Sequence, residues 1–366
     1  MPQTPSTQLL RLAKLVRAPL LAEPPSAEPV DAHLAQFAIK RHRVGPLLHI
    51  AAQFTRGPVD PEAAELLAQH YRENIFTLGK TDIALKEIGA RFFANRIPWL
   101  TFKGLPLARQ LYPEPGWRLS HDIDLLVPPH VFAKARTLLT DDGFVVVNTQ
   151  LPSEHWLERA MEGIAKDVAL KQTRSRLLIE LHRRLFFSGT EEIRDPLLRN
   201  TFKLRFATSA KDIPVPELSA GMALYLALHG ASARWFRLKW LIDLLPLLKM
   251  LDDEQKCALI DAAERVKGTV SVKAAFLLLG RVFEDVRLGP IGEWLGEPGG
   301  KAIVEARAAD YLAALDNQDA DSPKSNKRRF GALDLHYSMM DGWRYRSAVL
   351  TRGAAWMALN TLRHLL

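Results

Sequence analysis

The chain has 366 residues, 48% hydrophobic and 25% charged, an ordinary globular composition with room for two or three compact units. Its one cysteine, Cys257, excludes intrachain disulfides and multi-cysteine zinc sites, and no apolar run, 274–280 included, is long enough to span a membrane. The net charge of +8 favours polyanionic partners, yet the basic residues are scattered and only Lys327-Arg328-Arg329 forms a tight cluster, so no nucleic-acid groove is declared.

The first residues lack a basic start followed by an apolar stretch, which predicts no secretory signal. With the lone cysteine, this leads to the expectation of a cytoplasmic protein. Residues to about 95 read as helices, with 31–54 and 61–95 repeating apolar positions at helical spacing, as in Ile75, Leu78, Leu85, Ile88 and Phe92. Pro24-Pro25 and Gly57-Pro58 punctuate them. A strand is expected at 97–102, then Lys103-Gly104 and a short helix over 105–112. A strand over 122–127 follows, and Pro128-Pro129 opens a helix to about Asp141. Asp142-Gly143 turns the chain into a strand at 144–147, and a polar helix is expected around 153–165. Two β-like runs at 168–171 and 177–182 read as a hairpin joined through 173–175, and a second hairpin is expected from 203–207 and 213–216. From residue 217 the pattern is helical to the end, with Cys257 on an amphipathic helix as a structural residue and 316–327 as a polar linker. The result is a small mixed sheet between helical regions, divided at 1–95, 96–216 and 217–366.

The chemistry centres on Asp122-Ile123-Asp124. On a strand, residues two apart face the same way with Cα atoms roughly 6.5–7 Å apart, so both carboxylates can converge on one or two hard cations. Without a cation, each would oppose ionisation of the other. Glu180 and His182 share one face of the later strand while Ile179 and Leu181 share the other, which offers a third carboxylate for Mg²⁺ or Mn²⁺. Lys103-Gly104, where a strand meets a helix, allows close backbone approach to a phosphate, with Lys103 adding a point charge. Arg118 precedes the aspartate strand and suits phosphate or carboxylate oxygens. A basic and aromatic helical stretch over 218–247 holds His229, Arg234, Trp235, Arg237, Lys239, Trp240 and Asp243, with Trp240 and Asp243 on one side of the helix.

In this order, the runs Phe102-Lys103-Gly104-Leu105-Pro106-Leu107-Ala108, Arg118 through Val127 and Ile179-Glu180-Leu181-His182 resemble the bacterial uncharacterised nucleotidyltransferase family of the DNA polymerase β-like superfamily. His229, Trp235, Leu238, Trp240 and Asp243 fit the same picture, and the resemblance covers roughly 70–250. It implies an α+β fold with a small mixed β-sheet nucleotidyltransferase core flanked by N- and C-terminal helical regions. It also implies that Asp122 and Asp124 are a metal dyad, that Glu180 is the third carboxylate, and that Gly104 opens a phosphate-holding helix. Lys103, Arg118, His182 and Trp240 are then expected on the nucleotide. The expected reaction moves a nucleoside monophosphate from an NTP, with Mg²⁺ or Mn²⁺, to an acceptor that is a small molecule, peptide, protein or RNA, away from any membrane. Most of that superfamily carries Gly-Ser where this chain has Gly104-Leu105, and His121 stands directly before the dyad. These departures leave a catalytically silent nucleotide-binding or scaffold protein as the alternative.

Overall fold

The computed structural model describes residues 4–147, 156–173, 175–187, 195–317, 339–340 and 343–365. Its helices and strands follow the expected order closely. In chain order they are α1 (Thr7–Leu21), α2 (Ala32–Gln36), α3 (Gly45–Phe54), α4 (Pro61–Ala94), β1 (Leu100–Thr101), α5 (Gly104–Leu111), β2 (Asp122–Leu126), α6 (Phe132–Asp141), β3 (Phe144–Val146), α7 (Trp156–Ile164), β4 (Asp167–Gln172) and β5 (Leu178–His182). There follow α8 (Pro196–Thr201), α9 (Ala220–Ser232), α10 (Leu238–Met250), α11 (Asp253–Arg265), α12 (Thr269–Val282), α13 (Pro290–Gly296), α14 (Lys301–Asp316) and α15 (Trp343–Leu365). Of the polar stretch 316–327, residues 318–327 lie outside the described residues, as does the cluster Lys327-Arg328-Arg329. Among the described residues, no helix is long and apolar enough to cross a membrane.

The chain forms two compact units, a helical one from Met1–Phe76, Ala108–Leu119 and Leu218–Asp341, and a sheet unit from Thr77–Leu107, Ser120–Glu217 and Gly342–Leu366. Each unit draws on all three stretches read along the sequence.

In the helical unit, α9 is buried almost all round, and α10 buries Leu238, Leu241, Leu244, Leu245 and Leu248. Such helices cannot stand in water alone; they are held by packing against their neighbours. The next helix, α11, starts with a capping box: the Asp252 side chain accepts from the Gln255 N–H, and the Gln255 side chain accepts from the Asp252 N–H. Cys257 lies exposed on that helix.

The sheet unit carries a five-stranded mixed sheet in the order β1-β2-β5-β4-β3. Its central pair, β2 and β5, is parallel, and the other pairs are antiparallel. The alternation of each strand decides what each face does. Ile123, Leu125, Ile179, Leu181, Val168 and Leu170 go to one face, where they join Leu85, Ile88 and Phe92 of α4 and Phe132, Ala135 and Leu139 of α6 in one buried cluster. Full burial of each large apolar side chain there contributes about 1.5–3 kcal/mol. Ile75, at the same helical spacing, remains 45% exposed. The opposite face of the sheet receives Asp122, Asp124, Glu180 and His182.

The turn from α4 into β1 is made by Arg96 in the left-handed conformation (φ 51°), with Ile97 N–H donating to Phe92 O and Arg96 N–H to Phe93 O. This is the two-bond ending usually built on glycine, and it sets Trp99 edge-on to Phe92 at 5.6 Å.

One expected hairpin does not form. Residues 203–207 and 213–216 are not paired with each other; they cover the outer edge of β1. Trp99 N–H donates to the Arg205 carbonyl at 3.1 Å and Thr101 N–H to the Pro214 carbonyl at 2.9 Å. The loop between them is closed by Asp212, which accepts from Arg205 at 2.7 Å and from the Thr208 N–H at 2.7 Å. A bare β1 edge would leave donors unpaired, and both segments gain more by capping it than by pairing together.

Candidate functional site

Glycine at position 104 is required by close approach. Its φ is +63°, and a Cβ there would lie 2.8 Å from the Asp122 carbonyl oxygen and 3.0 Å from Ser120 Oγ. The first turn of α5 therefore sits directly against the start of β2 and brings Lys103 to the aspartate strand. Gly104→Ala is expected to destabilise the protein by about 1–3 kcal/mol through strain at this junction, measured as a lowered urea midpoint. The next residue, Leu105, is 2% exposed and packs in the core, so its side chain is structural.

The parallel register places Asp124 directly opposite Glu180, with His182 opposite Leu126. Strand β4 then sets Asp167 opposite His182. Asp124 and His182 are each 1% exposed, while the Glu180 side chain keeps 32% of its surface and faces solvent in part. His182 Nε2 is 3.1 Å from Asp124 Oδ1 and 3.5 Å from Glu180 Oε2, and its Nδ1 is 3.4 Å from Asp167 Oδ2. The Lys103 ammonium lies 2.7 Å from the same Asp124 oxygen, and Lys166 lies 2.7 Å from Asp167.

These charges set one another. Burial by itself would push the Asp124 carboxyl up, but the Lys103 ammonium and the His182 hydrogen bond outweigh it and hold that carboxyl far below the ordinary range. Burial likewise opposes ionisation of Asp167, yet Lys166 and His182 bring it down from 3.8 to about 2. For His182, burial and Lys166 favour the neutral ring, and Asp124, Glu180 and Asp167 overcome them and raise its pKa above the usual 6.5.

The network's contribution to stability is expected to fade in both directions. The share of Asp167 is complete above pH 3.8 and is lost as pH falls toward 2. The share of His182 is complete below pH 6.5 and is lost as pH rises through its elevated value. Urea unfolding followed across pH checks this, and Asp167→Asn is expected to flatten the acid limb.

Among the described residues, one group of side chains has metal-ligand spacing: single donor atoms of Asp124, Glu180 and His182 lie within 4.8 Å of one another. Asp122, on the same face of β2, is half-buried and is not a member of that trio. A divalent cation fits this donor set, because two carboxylate oxygens and an imidazole nitrogen converge and the pocket already supports a positive charge against Asp124. Asp167 and Lys166 were not singled out from the sequence. The sequence signal for them is that Val168 and Leu170 alternate with Asp167, Ala169 and Lys171, and β4 pairs antiparallel with β5; of the expected turn at 173–175, Arg174 lies outside the described residues.

Two expected nucleotide residues belong to the helical unit. Arg118 is 5% exposed and makes a two-pronged pair with Asp243, Nε to Oδ1 and Nη2 to Oδ2, both at 2.8 Å. Tyr112 OH donates to Asp243 Oδ1 at 2.7 Å, and burial with the neighbouring carboxylate pushes its phenol well above 10. Trp240 meets His229 edge-on at 5.8 Å and Phe236 at 4.8 Å, with the Arg237 guanidinium 5.9 Å from its ring. The stretch 218–247, expected to be helical, is broken at 233–237. Arg234 and Trp235 both take positive φ there, and Trp235 folds back so closely that a Cβ on Gly230 would meet its ring at 2.4 Å. The break is what carries Trp240 to His229.

Compared with curated proteins and with solved structures, the chain finds no significant match in either set. A family model described as uncharacterised nucleotidyltransferase matches residues 28–284, which span both the carboxylate strands and the helices that follow them. By that match, over most of its length, the chain belongs to the uncharacterised nucleotidyltransferase family.

Proposed function

We propose that this protein is a metal-dependent nucleotidyltransferase of the DNA polymerase β-like kind, moving a nucleoside monophosphate from an NTP to an acceptor hydroxyl or phosphate. The observation that carries the reading is the pairing of Asp124 with Glu180 across two parallel strands, beside Lys103-Gly104, in a chain of this family. Asp122, Asp124 and Glu180 would hold Mg²⁺ or Mn²⁺, with His182 against them. Bound there, a divalent cation supplies charge neutralisation on the triphosphate and Lewis-acid polarisation of the reacting phosphorus.

The chain's own residues have distinct tasks in this reading. Asp124, kept anionic by Lys103 and His182, is the fixed negative anchor of the site. Glu180, the more exposed carboxylate, accepts the proton of the acceptor hydroxyl. The backbone at Gly104 and the Lys103 ammonium receive phosphate oxygens. Arg118, paired with Asp243, has a structural task in this reading.

Mg²⁺-dependent binding of a non-hydrolysable NTP analogue, together with transfer of labelled nucleotide from an NTP, tests the proposal. Binding lost in both Asp122→Asn and Asp124→Asn is expected; binding indifferent to Mg²⁺ and to both changes overturns it. The burial of Leu105 favours a second reading, a nucleotide-binding protein without transfer, since no hydroxyl from that position reaches a phosphate. Transfer abolished by Glu180→Gln with NTP binding retained would rule that reading out.

A further inference from the structure

The ammonium of Lys103 already pairs with the carboxylate that a metal ion would need. Its Nζ lies 2.7 Å from Asp124 Oδ1, the same oxygen that His182 approaches at 3.1 Å. Asp124 is 1% exposed and the donor atoms of its trio lie within 4.8 Å of one another, so a metal ion arriving at this buried carboxylate meets the ammonium as a competing cation. The backbone under Lys103 has no such latitude. Gly104 is wedged against the Asp122 carbonyl, so the anchor of the lysine is fixed and only its side chain can move. That side chain keeps 12% of its surface and has a flexible four-carbon stem.

We propose that Lys103 is an exchangeable counter-ion: it neutralises Asp124 while the metal is absent, and arrival of the metal releases its ammonium toward the phosphates of the incoming nucleotide. This rests on the nucleotidyltransferase reading and adds a coupling to it. Metal and nucleotide then favour one another through one side chain, because the metal frees the cation that the triphosphate needs. Such coupling is reciprocal: whatever factor nucleotide adds to metal affinity, metal adds to nucleotide affinity. Lys103 is a positioning residue here. It competes for the site in one state and serves the substrate in the other.

The test uses Mn²⁺ binding by electron paramagnetic resonance, with and without a non-hydrolysable NTP analogue, in the wild type, Lys103→Gln, Lys103→Arg and Asp124→Asn. Lys103→Gln is expected to bind Mn²⁺ about tenfold more tightly without nucleotide, within the usual span of coupling factors, and to lose the enhancement that nucleotide gives the wild type. Lys103→Arg, which keeps the charge, is expected to stay close to the wild type in the absence of nucleotide. If Lys103→Gln is poorly folded without metal, the rise in its melting temperature on adding Mn²⁺ is expected to exceed that of the wild type. Unchanged or weaker Mn²⁺ binding in Lys103→Gln, alongside wild-type binding that depends on Asp124, overturns the counter-ion role and leaves the nucleotidyltransferase reading standing. Tighter Mn²⁺ binding in Lys103→Gln, with no nucleotide effect or transfer in any variant, supports competition between Lys103 and the metal but overturns the coupling to nucleotide and sinks the nucleotidyltransferase reading. Absence of Asp124-dependent Mn²⁺ binding in every variant overturns both.

Discussion

Asp124→Asn is expected to lower nucleotidyl transfer by about a thousandfold, since a bound metal's charge stabilisation is worth several kcal/mol and each 1.4 kcal/mol is about tenfold. The reason lies in what the wild-type residue provides. Its carboxyl is buried yet anionic, because Lys103 and His182 overcome the effect of burial. An amide keeps the shape and removes the charge. Lys103 and His182 then face each other across a neutral group, which raises their mutual repulsion. Some loss of stability is expected alongside the loss of function, so transfer must be normalised to folded protein by circular dichroism. Glu180→Gln is the useful contrast. Its side chain is 32% exposed and lies at the edge of the cluster, so it is expected to lower kcat far more than it weakens NTP binding.

Asp243→Ala is expected to be the most destabilising of the single substitutions considered, by about 3–5 kcal/mol, because it strands a buried guanidinium. Arg118→Ala is expected to fall in the same range for the mirror-image reason. Arg118 and Asp243 are both nearly inaccessible, their two hydrogen bonds are each 2.8 Å, and Tyr112 adds a third contact to the same carboxylate. An apolar replacement of both partners, Arg118→Met with Asp243→Leu, is expected to recover much of the loss, since no uncompensated charge remains. Urea unfolding of the two single variants and the double variant decides it. Equal losses in all three would mean that the pair matters through packing rather than charge.

The legible parts of this protein share one property: they depend on neighbours in the chain. Alternation in Asp122–Val127 and Leu177–His182 showed which residues share a face, and the fold honours it, with Ile123, Leu125, Ile179 and Leu181 in the core. The hairpin joining β4 to β5 was readable for the same reason. The second expected hairpin was not, because whether 203–207 pairs with 213–216 or with β1 depends on an edge contributed a hundred residues earlier. The helix expected through 218–247 failed at 233–237 on a similar ground. Nothing in local propensity announces that Trp235 will fold back onto Gly230, since its driving force is burial of an indole against a neighbouring turn.

By itself the sequence determined the α+β class, the strand faces, and the carboxylates and lysine-glycine turn that resemble one family's pattern. Pairing and burial decided the rest. The parallel register of β2 with β5 put Glu180 rather than Asp122 into the tight trio with Asp124 and His182, and the antiparallel pairing of β4 with β5 brought Asp167 to His182. Burial pairs Arg118, expected from the sequence on the nucleotide, with Asp243, because an excluded guanidinium must find a carboxylate. A strand's alternation is written in consecutive residues; which charges end up facing each other out of water is settled only when distant strands and helices close around them.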